Sequence, residues 1–282
     1  MKKRICTLLL ALCLTLGLLP AAAQAAGDGS GTFDTVRWTL DADGGLTVSG
    51  TGDLPDSAFA GRTDIVTVTF TGQVARIGRS AFAGCTQLRR VDGFGAVTCV
   101  MSQAFAGCTA LTELAVPGTV TEIGTGAFSA CTGLTAVTLA PGVRSLGAYA
   151  FAACTALRRI DLPDGMTLLG SGLFSGCTAL TELPLPDDVA WVEPRLCENC
   201  TALQNIVLPA AMTEVPRGLL RGCTGLRRVT LQGAVTAVGN GAFAGCDALA
   251  DVYFTGTRAQ WDAVAVGANN ARLTAAAVHL SA

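Results

Sequence analysis

Eight cysteines, Cys85, Cys108, Cys131, Cys154, Cys177, Cys200, Cys223 and Cys246, follow one another at intervals of 23 residues without exception. A fixed period of this length marks a solenoid, in which each turn is one supersecondary unit that buries its apolar face only against its neighbours. The period therefore decides most of what the chain can fold into, because it makes nearly every long-range contact a contact between adjacent turns.

The residues around each cysteine move with it. AFAGCTQL (81–88), AFAGCTAL (104–111), AFSACTGL (127–134), AFAACTAL (150–157) and AFAGCDAL (242–249) are near copies. A leucine stands three places after each cysteine, and a Val, Ile or Leu three places later, from Val91 to Val252. A Pro or Gly turn usually follows, as in LPDG (162–165), then a short apolar pair such as Val120 and Ile123, a Gly, and the next Ala-Phe. Each unit reads as a short parallel strand, a turn, a second extended segment and a tight helical or 3₁₀ corner pinned inward by Phe. The expected fold is an α/β-type repeat solenoid of about ten turns, roughly 45–50 Å long at one strand spacing per turn. Phe82, Phe105, Phe128, Phe151, Phe174 and Phe243 are predicted to stack as an internal column.

Parallel strands lie about 4.7–4.9 Å apart, whereas a disulfide needs Cβ atoms about 3.5–4.5 Å apart and facing each other. The cysteine ladder is thus predicted to be a column of buried thiols. At the N-terminal end the frame continues through AFAGRTDIVTVTF, with Arg62 in the cysteine position as a solvent-facing end. At the C-terminal end, counting forward places Asn269 in that position and Trp261 opposite Val238, with AAAVHL as a closing strand. Both ends read as caps, which keep terminal apolar faces out of water.

The Ala-Phe corner, the Cys three residues after the Phe, the Leu three after that, and the I-x-L-P strand end together resemble the BspA-like leucine-rich repeat family of exported bacterial proteins. WTLDADGGLTVSGTGDL (38–54) and VYFTGTRAQWDAV (252–264) resemble that family's flanking modules. The resemblance implies a curved, right-handed solenoid outside the cell that acts by binding, with adhesion to host or other cell-surface proteins the usual proposal.

Export is also indicated by residues 1–26, where the basic MKKR, the apolar run from Ile5 to Leu19 and the small-residue AAAQAA form a signal peptide. Residues 27–50 then form an N-terminal capping segment, 51–257 the repeats, and 258–282 a degenerate C-terminal capping repeat. No later stretch is long enough to span a bilayer. The formal net charge of −2, and the lack of a Lys/Arg cluster beyond the first four residues, argue against a nucleic-acid partner and do not favour acidic ligands.

Signs of catalysis are sparse. The chain has one histidine, His279, which reads as a cap residue. Cys197-x-x-Cys200 resembles a redox or zinc half-site only in isolation. In register, Cys200 is an ordinary rung and Cys197 takes the Phe position, so packing is the better reading, with an in-turn disulfide the alternative. Cys99 falls out of phase and is expected to be exposed. No cofactor, metal or catalytic residue is assigned, and the protein is not expected to be an enzyme.

The informative surface is the outward side of the first strand, where side chains alternate in and out. Arg90, Glu113, Ala136, Arg159, Glu182, Asn205, Arg228 and Asp251 occupy one outward row, so charge repeats every 69 residues. Either this row is a self-neutralising solvated ladder, or it forms a polar groove for a protein ligand, to which Asp161 and Tyr253 add contacts. Leu168 and Trp191 share one position in adjacent turns of the second segment and form a second candidate patch, unless the chain dips inward there. The expected function is non-catalytic binding of a host or cell-surface protein, with a self-assembling structural role as the alternative. Oligomeric state is left open.

Overall fold

The computed structural model describes residues 29–189 and 191–280. The signal peptide expected at residues 1–26 lies outside them. Two rows of short parallel strands run the length of the molecule. The N-terminal cap supplies the start of both: β1 (Ser30–Phe33), β2 (Val36–Leu40) and β3 (Gly45–Leu54) pair antiparallel in sequence order. The long β3 pairs parallel with Thr67–Phe70 through its first half and with Gln73–Ile77 through its second. From there each turn but the one at residues 178–200 adds one strand to each row. In the first row Val137 faces Leu114 and Ile160, and in the second Leu146 faces Ile123 and Leu169. These register partners are 23 residues apart, so the period of the sequence is the period of the coil.

The corners form a third ladder. Within a corner, successive i→i+3 turns such as Ala104 N–H to Met101 O and Ala106 N–H to Gln103 O resemble 3₁₀ structure. They do not continue as a helix, because two residues per corner take left-handed φ, as Gln103 (59°) and Gly107 (72°) do. This break turns alternate N–H groups along the solenoid axis. Phe82 N–H therefore donates to Ala104 O and Gly84 N–H to Ala106 O, both at 2.7 Å, and the pattern recurs turn by turn.

Inside the corners the phenylalanines stack. Ring centroids of Phe82 and Phe105 are 5.0 Å apart, those of Phe105 and Phe128 5.2 Å, and those of Phe128 and Phe151 5.5 Å, with planes within 6° of parallel. The column ends at Phe174, since Cys197 and Leu220 fill the next two positions, so Phe243, expected to belong to it, is buried apart from the stack. Its other end is closed by Phe33 and Trp38, which meet Phe59 edge-on at 5.6 Å. Arg62 still meets solvent, with its side chain 28% exposed. Its guanidinium pairs with Asp64 at 2.9 Å and lies 5.6 Å from the centre of the Trp38 ring, which covers it in part.

All eight ladder cysteines are buried free thiols. Each donates its S–H to a carbonyl 26 residues earlier, as Cys85 does to Phe59 O at 3.1 Å, Cys131 to Phe105 O at 3.2 Å and Cys246 to Leu220 O at 3.2 Å. This explains the residue type: a small apolar side chain with one weak donor fills the bend and reaches the carbonyl of the turn beneath.

At the C-terminal end the frame changes. Trp261 lies in the short helix α1 (Arg258–Asp262), capped by Thr257 and Gln260, and packs 5.3 Å from Phe254. The residue that faces Val238 is Val266, not Trp261. The inserted helix lengthens the last turn, which is why simple counting misplaces it. The second short helix, α2 (Ala271–Ala275), starts beside Asn270, and Ala277–Leu280 then pairs parallel with Asp251–Phe254. Asn270, one place beyond the position obtained by counting, is the buried polar residue of the core. Its Oδ1 accepts from Phe243 N–H at 3.0 Å, and its Nδ2 donates to Gly239 O and Gly267 O. One amide side chain thus stands in for the missing next corner. Asn270→Ala should destabilise the protein by about 2–4 kcal/mol, because a buried donor and a buried acceptor lose their partner together. Asn270→Asp should recover little of this, since it keeps the acceptor but not the donor. Urea denaturation of the three proteins would measure both effects.

Candidate binding surface

In the turn spanning residues 178–200 regularity fails in both strand rows at once, whereas between Arg90–Val91 and Glu113–Val116 the ladder breaks in the first row alone. In the first row Arg159–Asp161 is separated from Asn205–Val207 by a turn whose only ladder contact is a single bridge from Glu182 to Arg159. Pro184 stands where Asp161 and Val207 stand in the flanking turns, and a proline has no N–H to give to the ladder. In the second row Leu168–Leu169 and Glu214–Val215 are the strands on either side, and no strand forms at 191–192 between them.

The break leaves a hollow of about 320 Å³ on the outward side of the first row. Its floor is apolar, formed by Leu183, Pro184, Leu185 and Ile206, and its rim carries Arg159, Glu182 and Asn205. Beside it Val207 points outward and is 55% exposed. The break also brings Leu168 and Trp191 outward on the second row, 39% and 55% exposed, so neither side chain dips into the core. The Trp191 indole N–H lies 3.2 Å from a Glu193 carboxylate oxygen, which holds the ring against the surface.

The residues singled out from the sequence fall into three groups. Arg159, Glu182 and Asn205 line the hollow, with Asp161 beside them; Arg159 bridges Asp161 at 2.8 Å and Glu182 at 3.0 Å. Arg228, Asp251 and Tyr253 form a separate cluster toward the C-terminal cap. There Arg228 approaches Asp251 at 3.9 Å, the His279 imidazole lies 2.8 Å from the same carboxylate, and its ring stacks on Tyr253 at 4.7 Å. Arg90 and Glu113 stand apart near the N-terminal end, with Arg90 paired to Asp92 of its own turn rather than to Glu113. The charged row therefore neutralises itself at two of its steps, and solvent screens these exposed pairs so that they add little stability.

Val207 and Pro184 were missed from the sequence, although both carry a signal. Pro184 sits at a strand position, and Val207 is an apolar residue in the outward phase. The contact between Tyr253 and His279 had no such signal, because it depends on the lengthened last turn.

Redox chemistry finds no support in the cysteines. Cys197 and Cys200 are fully buried. A hydrogen bond with Cys200 pulls the Cys197 thiol down, but burial and the neighbouring thiols push it up further. The Cys200 thiol is raised by that same hydrogen bond and by burial. Neither offers the accessible thiolate that exchange requires. Cys99, expected to be exposed, is half-buried between Arg76 and Glu122 of the adjoining turns, and burial raises its thiol as well.

Paired rows of parallel strands, an inward apolar column at each corner and a buried hydrogen-bonding residue after it define a leucine-rich-repeat solenoid. The BspA type leucine rich repeat region matches residues 52–177 and 144–265, in six copies, and the chain belongs to that family. Similar solved structures include a leucine rich cell surface protein from Faecalibacterium prausnitzii. It is 19% identical, with a TM-score of 0.50, over 86% of this chain and 99% of that one. A leucine-rich repeat protein from Bacteroides ovatus is 23% identical with a TM-score of 0.57, over 80% of this chain and 71% of its own. The T. pallidum leucine rich repeat protein is 24% identical with a TM-score of 0.53, over 78% and 90% respectively. These likenesses are of fold. No curated protein matches the chain.

Proposed function

We infer that this protein is a non-catalytic, extracellular or surface-displayed binding module, and that its contact surface is the first-row face around the irregular turn. The observation that carries this reading is the hollow at the strand break, with its apolar floor, its polar rim and Val207 exposed beside it. An apolar centre enclosed by polar groups is the usual anatomy of a protein-binding spot. Stacked turns hold that surface rigid before contact, which lowers the ordering cost of association. The expected partner is a protein of a host or of another cell surface. In support of an extracellular setting are the sequence of residues 1–26 and the cell-surface description of the F. prausnitzii relative. Among the described residues no helix is long and apolar enough to cross a membrane.

The test is retention of the purified protein on an array of host extracellular proteins and cell-surface fractions, with Val207→Glu and Trp191→Glu in parallel. Both positions are exposed, so both variants should fold. Val207→Glu is expected to weaken retention at least tenfold while Trp191→Glu leaves it unchanged. Loss with Trp191→Glu alone would move the surface to the second row. Absence of any partner, together with reversible self-association in sedimentation, would favour the structural assembly role instead.

A further inference from the structure

On the corner side of the C-terminal half, away from the first-row face, three arginines from two adjoining turns line a single hollow of about 340 Å³. Arg195 comes from the irregular turn, and Arg217 and Arg221 come from the next. Arg221 stands one repeat after Glu198 and approaches its carboxylate at 3.8 Å, while Arg195 approaches the same carboxylate at 3.9 Å. Both separations exceed the roughly 2.7–2.9 Å of a strong charge-assisted hydrogen bond, so these guanidinium groups keep donors to spend elsewhere. Arg217 has no acidic partner among the described residues. Three guanidinium groups against one carboxylate leave a formal +2 in one hollow, on a chain whose net charge is −2.

The remaining lining suits a ligand rather than a packed contact. Gly218 contributes no side chain, and the Asn240 and Asn269 amides stand in the wall. The Asn240 Oδ1 accepts from Ala268 N–H at 2.9 Å, which turns its NH₂ away from that bond. The three guanidinium groups thus supply most of the donors here, and the excess of positive charge disfavours a cation.

We propose that this hollow binds a small oxyanion ligand, a phosphate or sulfate monoester carried on a group about the size of a sugar ring. A phosphate monoester, near a dianion at neutral pH, matches the local charge, a sulfate monoester as a monoanion offsets half of it, and the planar guanidinium fork matches two oxygens of either tetrahedral anion at once. The volume holds the anion and one ring beside it. The site is independent of the protein-binding face, and either can fail alone.

Arg195 allows a test free of folding artefacts. It has φ of 63°, at a frame position held by Gly172, Gly218 and Gly241, so Arg195→Gly relieves the backbone rather than straining it. Titration calorimetry of the purified protein at low salt would use glucose 6-phosphate, glucose 6-sulfate, inorganic phosphate and plain glucose. Both esters should bind and glucose should not, and comparing ester with inorganic ion tells whether the ring contributes. Arg195→Gly and Arg217→Ala should each weaken ester binding about tenfold, the usual effect of one charge-assisted contact, with the thermal midpoint unchanged. Arg217→Lys should recover part of the loss. Silence of both esters and of phosphate at millimolar concentration would overturn the assignment. So would equal affinity in the Arg195→Gly/Arg217→Ala protein.

Discussion

Raising the pH from 8 to 11 under a reducing agent should unfold this protein sharply, with the transition beginning near pH 9. Nine of its thiols are buried. Burial pushes the terminal rungs Cys85 and Cys246 up to about 12, and the inner rungs Cys131, Cys154 and Cys177 are likewise driven well up. In the unfolded chain each would titrate near 8.5. A thiol that holds its proton more tightly when folded contributes stability that is complete below the unfolded value. That contribution is lost progressively as pH rises through the unfolded value toward the folded one. Each group then removes about 1.4 kcal/mol per pH unit. Nine together remove roughly 12 kcal/mol per unit, against a total stability of about 5–15 kcal/mol for a typical domain.

The measurement is unusually clean, because the chain's two lysines are Lys2 and Lys3. Circular dichroism against pH, with free thiols counted at each point, would follow both structure and titration. A protein that keeps its structure to pH 11 would mean that the ladder is oxidised or that water reaches it.

Phe128→Ala should be the most damaging single truncation in the repeats, lowering stability by about 3–5 kcal/mol. The ring is fully buried and stacked on both sides, by Phe105 and Phe151. No other part of the protein can compensate, since in a solenoid each turn is stabilised only by its two neighbours. The loss should therefore also be local. Denaturation followed by far-ultraviolet circular dichroism is expected to broaden or split into two steps, as the turns on either side of residue 128 uncouple. A single sharp transition displaced by less than about 1 kcal/mol would show that the column fills space without coupling the turns.

Most of the fold could be read in advance for the same reason. A 23-residue period makes sequence neighbours of the frame into spatial neighbours, so the inward Phe column, the free-thiol ladder and the outward charged row follow from counting and from the alternation of strand side chains. Val207 and Pro184 belonged to this legible part, although only the broken ladder gives them meaning. Where the frame degenerates, counting fails. Whether Asn269 or Asn270 caps the last corner, and whether Trp261 enters a strand or a helix, depends on a one-residue choice that side-chain packing and hydrogen-bond satisfaction make.

The sequence by itself determined the repeat, the residues that face inward and the family, because each rests on regular spacing and nearest-neighbour contact. Only the tertiary structure decided where the regularity breaks open into a hollow, and that Arg195, Arg217 and Arg221 line one hollow. Those features arise from departures at single positions on adjoining turns, and the reach of a guanidinium across a corner leaves no period in the sequence.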